Sequence, residues 1–291
     1  MRRNFFKELK KKPVIFDGAM GTMLMAAGLL PREAPEIFNM KKPELITDIH
    51  RQYFEAGADV VITNTFGGNA VKLNSKGLGA QIEAINEAGA ANAKKACPPD
   101  KWVAGDMGPT GKFLKPLGEL SIEEMEEAFF LQASSLIKGG VDLLIIETIY
   151  SLDEAIAALK GAKKAGDIPV IVSMTFNRTK KGFFTMMGES ISRAIPILAA
   201  AGADAVGANC TLGAKDMIDI TGEIRKETQK PILIEPNAGK PVDREGRIYY
   251  EQTPQEFAGD AEKIVQAGAD MIGGCCGTTP EFIRELSRVL S

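Results

Sequence analysis

One phrase recurs along the chain and constrains the fold more than any other feature of the sequence. A small residue and Gly precede an acidic residue, an apolar run and a polar or small tail in EAGADVVITNT (55–65), KGGVDLLIIET (138–148), AAGADAVGANC (200–210) and QAGADMIGGCC (266–276). The Gly is typical of the left-handed residue that ends a helix. An apolar run without polar alternation indicates a strand buried on both faces, as in a parallel sheet. The phrase therefore predicts a repeated helix-to-strand junction.

The spacing of this phrase leaves room for one more strand in each interval. Its aspartates, at positions 59, 142, 204 and 270, are separated by 83, 62 and 66 residues. Two of the eight units of a 250-residue barrel take roughly 60 residues. The additional apolar runs are PVIFDGAMG (13–21), WVAGDMGPTG (102–111), PVIVSMTFN (169–177) and PILIEPNAG (231–239).

Amphipathic segments separate the apolar runs, and Ser121, Asp153 and Thr253 stand where helix N-caps are expected. Eight alternating strands and helices predict an α/β fold, the (β/α)8 barrel. No linker or shift in composition interrupts the pattern. We therefore expect one domain over residues 1–291, with a basic helical extension at residues 1–12.

The composition excludes several classes of function. With 35 basic and 38 acidic residues, the formal net charge is −3, which provides no positive field for a nucleic acid. No apolar run approaches the roughly 20 residues that a membrane span requires. Four cysteines in 291 residues do not form a disulfide framework, so we expect a reducing, cytoplasmic location. We expect neither a nucleic acid nor a membrane among the partners.

In such a barrel the chemistry lies at the carboxyl ends of the strands. Cys210 ends strand six, and Cys275 and Cys276 end strand eight, so their thiols can converge on one rim. The remaining thiol, Cys97, follows a helix and precedes two prolines, and we place it far from this rim in a structural role. The only histidine, His50, falls inside the first barrel helix, and we place it on the helix surface.

Three explanations of the adjacent cysteines compete. A disulfide between neighbours closes a strained ring and leaves Cys210 unexplained. Burial as small apolar side chains leaves unexplained why the thiols gather at the rim. A metal site accounts for all three, because the glycines beside Cys275 and Cys276 allow both thiolates to turn towards one ion. Thiolates favour zinc over magnesium or calcium, and three protein ligands leave a fourth position open, which is typical of a catalytic zinc.

A zinc ion held by three thiolates can bind a substrate thiol and keep it deprotonated at neutral pH. We therefore expect alkyl transfer to a thiol. Asp17 and Glu147 end strands one and four, where they bind an ammonium group or merely hydrogen-bond within the barrel end. The turn TNTFGGN (63–69) directs N–H groups at a carboxylate, or it is an ordinary loop. Asn237 orients the substrate or fills the open zinc position.

Seven motifs follow one another along the chain: DGAMGT (17–22), TNTFGGN (63–69), GDMGPTG (105–111), ETIYSLDEA (147–155), GANCTLG (207–213), EPNAGKP (235–241) and GGCCGTTPEFI (273–283). In this order they resemble the homocysteine S-methyltransferase family, most closely the homocysteine-binding domain of cobalamin-dependent methionine synthase. The resemblance implies a zinc-dependent barrel that methylates L-homocysteine to methionine. It implies that the Zn²⁺ ligands are Cys210, Cys275 and Cys276, and that the amino group is bound by Asp17 and Glu147.

The resemblance also implies a catalytic role for Asn237 and a substrate loop around the homocysteine carboxylate, made of Thr65, Phe66, Gly67 and Gly68. In the cobalamin-dependent synthases, folate- and cobalamin-binding modules follow this barrel, and the sequence contains neither. We therefore expect methylcobalamin or another methyl-corrinoid, carried by a separate protein or domain, to donate the methyl group. S-methylmethionine or another sulfonium is the alternative donor.

The loop 177–190 follows strand five and is expected to cover the site or simply to pack, with Met186 and Met187 as a soft apolar surface for the donor. A non-enzymatic alternative is a zinc-binding barrel that docks a partner or senses thiols. Such a barrel would bind the metal but not the substrate. A measurement of homocysteine binding therefore distinguishes the enzyme from the non-enzymatic barrel.

Overall fold

Eight parallel strands form one closed sheet in the computed structural model, which describes residues 5–9, 12–30, 33–244 and 247–290. Strands one to eight are Val14–Ile15, Val60–Ile62, Trp102–Met107, Leu143–Ile149, Val170–Met174, Ala205–Gly213, Ile232–Asn237 and Met271–Ile272. Strand eight pairs with strand one, and a bridge between Phe16 and Val60 joins strand one to strand two. The predicted (β/α)8 barrel is confirmed.

A helix follows each strand and covers the outside of the barrel. These helices are Pro43–Glu55, Ile82–Ala96, Ile122–Lys138, Leu152–Ala165, Ile191–Ala200, Ala214–Glu227, Pro254–Gln266 and Pro280–Leu290. Shorter helices are Phe5–Glu8, Met20–Ala26, Phe38–Lys41 and Ala70–Ser75, with 3-10 turns at Pro35–Ile37 and Gly79–Gln81. Hairpins follow strands five and seven, at Asn177–Thr179 with Gly182–Phe184 and at Pro241–Arg244 with Arg247–Tyr250. Within the described ranges, no helix has the length and apolar character to cross a membrane.

Two of the three predicted helix caps are confirmed. Ser121 and Thr253 each form a capping box, in which the side chain accepts the N–H of the glutamate three residues on. Asp153 is not an N-cap, because the helix begins at Leu152 and the preceding Ser151 accepts the N–H of Glu154. Asp153 instead places its negative charge in the first turn, where it interacts favourably with the helix dipole.

The recurring phrase builds the lower rim of the barrel, where the strands begin. Its glycines have the predicted positive φ, at Gly57, Gly140, Gly202 and Gly268. Each following aspartate accepts a backbone N–H from the preceding strand: Asp59 from Ile15 (3.1 Å), Asp142 from Val103 (2.8 Å), Asp204 from Val170 (2.8 Å) and Asp270 from Ile232 (2.9 Å). Each even-numbered strand is thereby tied to the odd-numbered strand before it, which explains why the phrase recurs once in two units.

Buried apolar side chains fill the lower half of the barrel interior. The N-terminal helix adds Phe5, which is 2% exposed and packs edge-on against Phe16 and Trp102, with ring centroids 6.4 and 5.5 Å away. The extension expected at residues 1–12 therefore contributes an aromatic plug to the lower end of the barrel. Residues 1–4 and 10–11, with most of the basic cluster, lie outside the described residues.

His50 is fully buried, so its predicted place on the helix surface is wrong. It lies on the same face of helix Pro43–Glu55 as the buried Ile46 and Tyr53, at helical spacing. Among the described residues neither ring nitrogen finds a hydrogen-bond partner. Burial lowers the pKa of His50 to about 3, so the ring is neutral in the folded protein.

Cys97 lies at the lower rim, far from the carboxyl ends of the strands, in agreement with the sequence-based expectation. It follows helix Ile82–Ala96, shortly before strand three begins. Its thiol donates to the carbonyl oxygen of Pro98 at 3.4 Å, and its side chain packs partly buried against the apolar core. Cys97 is therefore a suitable control for experiments on the other thiols.

Replacing Asp270 by alanine should weaken the lower rim. Its carboxylate accepts the Ile232 N–H at 2.9 Å and Arg225 Nη2 at 2.6 Å. A hydrogen bond to a charged group contributes about 1.5–3 kcal/mol, so we expect the free energy of unfolding to fall by about 2 kcal/mol in urea denaturation. Asp48→Ala is the control, because Asp48 bonds only exposed side chains. Equal losses in both variants would contradict the role of Asp270.

Replacing His50 by leucine should change how stability depends on pH. The pKa of His50 is about 3 when folded and near 6.5 when unfolded, so the folded state is penalised as pH falls below 6.5 and the unfolded chain takes up the proton. At pH 5 this costs about 2 kcal/mol relative to pH 7.5. We expect the difference in unfolding free energy between His50→Leu and wild type to grow by that amount. A difference independent of pH would refute a buried, neutral His50.

Candidate active site

Three thiols meet at the upper rim of the barrel, where the strands end. Cys210 lies in strand six, Cys275 and Cys276 follow strand eight, and the three Sγ atoms lie within 4.8 Å of one another. The Sγ atoms of Cys210 and Cys276 are 4.0 Å apart. Ligands placed tetrahedrally around zinc at 2.3 Å are about 3.8 Å from one another. The cluster therefore fits a zinc ion, and all three cysteines are only partly buried, so the site is accessible.

Unusual backbone conformations turn these thiols towards each other. Cys210 and Thr211 have φ values of 62° and 61°, in the left-handed region that residues with side chains rarely adopt. The register of strand six shifts there against strand seven. On the other side, the Cys275 N–H donates to the Pro236 carbonyl at 2.7 Å, and Gly277 has a φ of 84°. Hydrogen bonds of the surrounding barrel hold this strained geometry, which is typical of functional sites.

Hydrogen bonding among the three thiols shifts their pKa values in opposite directions. Hydrogen bonds from Cys210 and Cys275 lower the pKa of Cys276 to about 3. Hydrogen bonding to Cys210 raises the pKa of Cys275 well above its usual value. A coordinating divalent cation would remove the remaining protons, because a metal-bound thiol is deprotonated outright.

Four carboxylic acids form a second cluster beside the thiols, which we call the acidic chamber. Its members are Asp17, Asp106, Glu147 and Glu235, at the ends of strands one, three, four and seven. Glu147 interacts electrostatically with each of the other three. No lysine or arginine of the described residues forms an ion pair with any of them. The chamber therefore holds uncompensated acidic groups inside the barrel.

Burial raises the pKa of every acid in the chamber. The pKa of Glu147 rises to about 7, chiefly through burial. The pKa values of Asp106 and Glu235 are raised well above their usual range by burial and then by repulsion from Glu147, and burial does the same for Asp17. Burial therefore favours the protonated form of these acids, and a bound cation would favour the ionised form.

Asn209 connects the thiol cluster to the acidic chamber. It precedes Cys210 in strand six and donates from Nδ2 to Glu147 Oε2 at 2.6 Å. Its Oδ1 accepts the Thr148 N–H at 3.0 Å and the Ser173 hydroxyl at 2.9 Å, so every polar atom of the amide is engaged. Asn209 thereby fixes Glu147 beside the three thiols, and from the sequence alone only its position at a strand end was apparent.

Asn237 ends strand seven and is 2% exposed. Its Oδ1 has no hydrogen-bond partner among the described residues. The next residue, Ala238, donates its N–H to the Cys276 carbonyl at 2.9 Å, so the strand end is tied directly to the thiol cluster. A buried carbonyl oxygen without a donor fits either predicted role of Asn237.

The predicted substrate loop of Thr65, Phe66, Gly67 and Gly68 lies after strand two, but several of its polar groups are already used. The Thr65 hydroxyl donates to the Asp106 carbonyl at 2.8 Å, and the Gly68 N–H donates to the Thr65 carbonyl at 2.8 Å. The Gly67 N–H donates to Glu36 Oε1 at 2.7 Å. Glu36 lies in the 3-10 turn Pro35–Ile37, and no pattern in the sequence marks it.

The segment after strand five presents apolar side chains to solvent. It forms the hairpin Asn177–Thr179 with Gly182–Phe184, and the following Met186 and Met187 are 66% and 37% exposed. Exposed methionines are typical of adaptable binding surfaces. Both methionines therefore remain available for contact with another molecule.

The fold and the site define a class: a (β/α)8 barrel with three converging thiols that could hold a metal ion, beside four buried acids. The sequence profile described as Homocysteine S-methyltransferase matches residues 14–290. Methionine synthase of Mycobacterium leprae (strain TN) is 33% identical over 306 residues, which cover 99% of this chain and 25% of that protein. The chain belongs to the homocysteine S-methyltransferase family, and spans a quarter of the length of that relative.

Two crystal structures of the homocysteine methyltransferase MmuM from Escherichia coli have similar folds. The metallated form has a TM-score of 0.82 at 24% identity and covers 98% of this chain and 99% of its own. The oxidized form has a TM-score of 0.81 at 25% identity and covers 97% of each chain. The family resemblance expected from the ordered motifs is thus confirmed.

Titration with Co²⁺ should test the thiol cluster as a metal site. Three thiolates and one further ligand give cobalt a tetrahedral sulfur-rich environment, so we expect intense thiolate-to-cobalt absorption that saturates at one ion per chain. Cys276→Ala should lose most of this absorption, whereas Cys97→Ala should keep it. A spectrum unchanged by Cys276→Ala would contradict the assignment.

Proposed function

We propose that this protein is a zinc-dependent homocysteine S-methyltransferase, which transfers a methyl group from a methyl-corrinoid to the thiol of L-homocysteine and forms methionine. The observation that carries the proposal is that three converging thiols lie beside buried carboxylates with unpartnered oxygens. Together they suit one ligand that carries both a thiol and an ammonium group. We treat residues 1–291 as one domain, acting in a reducing cytoplasm where the cysteines stay free.

Cys210, Cys275 and Cys276 would hold Zn²⁺, which when bound keeps the substrate thiol deprotonated at neutral pH. A free alkyl thiol has a pKa near 8.5 and is mostly protonated at pH 7. Asn237 directs its Oδ1 at the substrate or the metal position. Both arrangements would satisfy the oxygen that is buried without a partner.

The rest of the substrate would extend across the barrel from the thiol cluster. Asp17 and Glu147 accept hydrogen bonds from the ammonium group in the acidic chamber. Strand two lies opposite strand six in the closed sheet, so the substrate loop meets the carboxylate at the far side. The Gly67 and Gly68 N–H groups are engaged, and among the described residues the Phe66 N–H has no partner. We assign Phe66 N–H to the carboxylate.

The proposed reaction is a displacement at the methyl carbon. The homocysteine sulfur forms a bond to that carbon while the carbon–cobalt bond breaks, and both electrons of the broken bond remain with cobalt. The thiol proton leaves before transfer, so no general base is required at the methyl group. The barrel contributes by holding the sulfur and the donor in line.

The methyl-corrinoid would be carried by a separate protein or domain. In support, the methionine synthase relative is four times as long as the matched region. A carrier must approach the upper rim, where Met186 and Met187 offer an exposed apolar surface. Apolar surface of this kind is typical of contact sites for a transient partner.

A sulfonium donor such as S-methylmethionine is the second candidate. It is favoured by the match to MmuM, a homocysteine methyltransferase whose chain and this one each cover 97% of the other. In this reaction the same sulfur attacks a methyl group on a positively charged sulfur, and the leaving group is a neutral thioether. The same barrel residues would act in both reactions, so only the donor distinguishes them.

Demethylation of free methylcobalamin tests the preferred donor. With zinc-loaded protein and L-homocysteine, we expect loss of the methyl–cobalt absorption and equimolar formation of methionine. Cys276→Ala should lower this rate by at least about a hundredfold, because the thiolate is no longer generated, while Cys97→Ala should react as wild type does. Methionine formed only from S-methylmethionine would reject the corrinoid donor and keep the thiol chemistry. No methionine from either donor, in protein that holds one zinc, would contradict the proposed function.

A further inference from the structure

The acidic chamber contains more hydrogen-bond acceptors than those of Asp17 and Glu147, the two residues assigned to the ammonium group. Among the described residues, both oxygens of Glu235 lack a hydrogen-bond partner, as do Asp17 Oδ1 and Asp106 Oδ1. Burying a polar group without a partner costs several kcal/mol in an apolar environment. The described residues supply no hydrogen-bond donor to these oxygens, so a bound ligand could supply one.

Glu235 is the most isolated of the four acids. It is 1% exposed, and its residue in strand seven pairs with Asn209 of strand six. By contrast, Asp17 Oδ2 accepts the Ile62 N–H at 3.0 Å and Glu147 Oε2 accepts from Asn209 at 2.6 Å. Asp106 and Glu147 are hydrogen-bonded to each other, so they share a proton. Of the four acids, Glu235 alone has both carboxylate oxygens without a hydrogen-bond partner among the described residues.

Gly273 locates the Glu235 side chain relative to strand one. A Cβ atom added to Gly273, beyond strand eight, would lie 3.4 Å from Glu235 Cγ and 2.7 Å from Phe16 Cβ. It would also lie 3.0 Å from the Asp17 carbonyl oxygen. The glycine is therefore required by the close approach of strand one, and Glu235 Cγ lies within van der Waals distance of the same position, which places the Glu235 side chain beside Asp17.

An ammonium group has three N–H donors and no acceptor. Asp17 and Glu147 each satisfy one donor and leave one over. Glu235 interacts electrostatically with both of these acids. It enters the chamber from strand seven, whereas Asp17 and Glu147 enter from strands one and four. A single cation at this position would give Glu235 and Asp17 the donors that they lack.

We propose that Glu235 is the third carboxylate that binds the ammonium group of the substrate, and that it selects amino-acid thiols over thiols without an amino group. The proposal rests on the proposed function, because the substrate sulfur at the metal places the amino group above the chamber. Asp106 does not contact the substrate in this arrangement and holds the proton that it shares with Glu147.

The test compares two ligands that differ only in the amino group. L-homocysteine and 4-mercaptobutanoate carry the same thiol, chain and carboxylate. Isothermal titration with zinc-loaded protein measures both dissociation constants, in a buffer whose only added cation is tetramethylammonium, so that no small cation competes for the chamber. Wild type, Glu235→Gln and the control Glu154→Gln are titrated. Glu154 is a buried carboxylate that already accepts from Thr110 N and Oγ1 at 2.7 and 2.6 Å.

Glu235→Gln should weaken homocysteine binding by about tenfold to a hundredfold, the range for one hydrogen bond to a charged group. It should leave 4-mercaptobutanoate binding unchanged, and Glu154→Gln should change neither. Unchanged homocysteine affinity in Glu235→Gln, or an equal loss for both ligands, would overturn the role of Glu235. Zinc-dependent binding of L-homocysteine by wild type tests the thiol site separately, and its absence would overturn the proposed function itself.

Discussion

The hydrogen bonds that tie neighbouring strands at the lower rim fix the geometry on which everything above them depends. Each aspartate of the recurring phrase accepts a backbone N–H from the adjacent strand and pairs with a cation, namely Lys101, Lys94, Lys163 or Arg225. These bonds set where each pair of strands begins. Because a strand rises about 3.3 Å per residue, a slip of one residue at the bottom would move the thiols and carboxylates at the top out of reach of one another.

The upper rim has the opposite character, since it concentrates thiols and carboxylic acids. Among the described residues no lysine or arginine pairs with the acidic chamber, and burial raises the pKa values of its acids. Such a site costs stability in the free protein and gains it when ligands bind. On the proposed function, a divalent ion and an ammonium group would bring positive charge to the two clusters. Binding selectivity would then follow from a charge imbalance that the fold maintains.

The sequence predicted the barrel and the gathering of Cys210, Cys275 and Cys276 because strand ends can be read from local patterns. Apolar runs, glycines and their spacing report positions along one strand. The sequence did not predict that His50 is buried or that Glu36 accepts the Gly67 N–H. Both contacts depend on which elements pack together. The extra carboxylates of the chamber were visible only as polar residues at strand ends. Their lack of partners is a property of the closed barrel and of no local segment.

The plug formed by Phe5 has a consequence for how the chamber exchanges with water. Phe5 and the apolar side chains above it fill the lower end of the barrel, whereas the partly exposed thiols lie at the mouth of the upper rim. On the proposed function, a methyl carrier bound at that mouth would close it to solvent. Water and protons inside would then be trapped for the lifetime of the complex. On the proposed function, the protonation state with which each turnover begins would therefore be fixed at the moment of docking, before any methyl group moves.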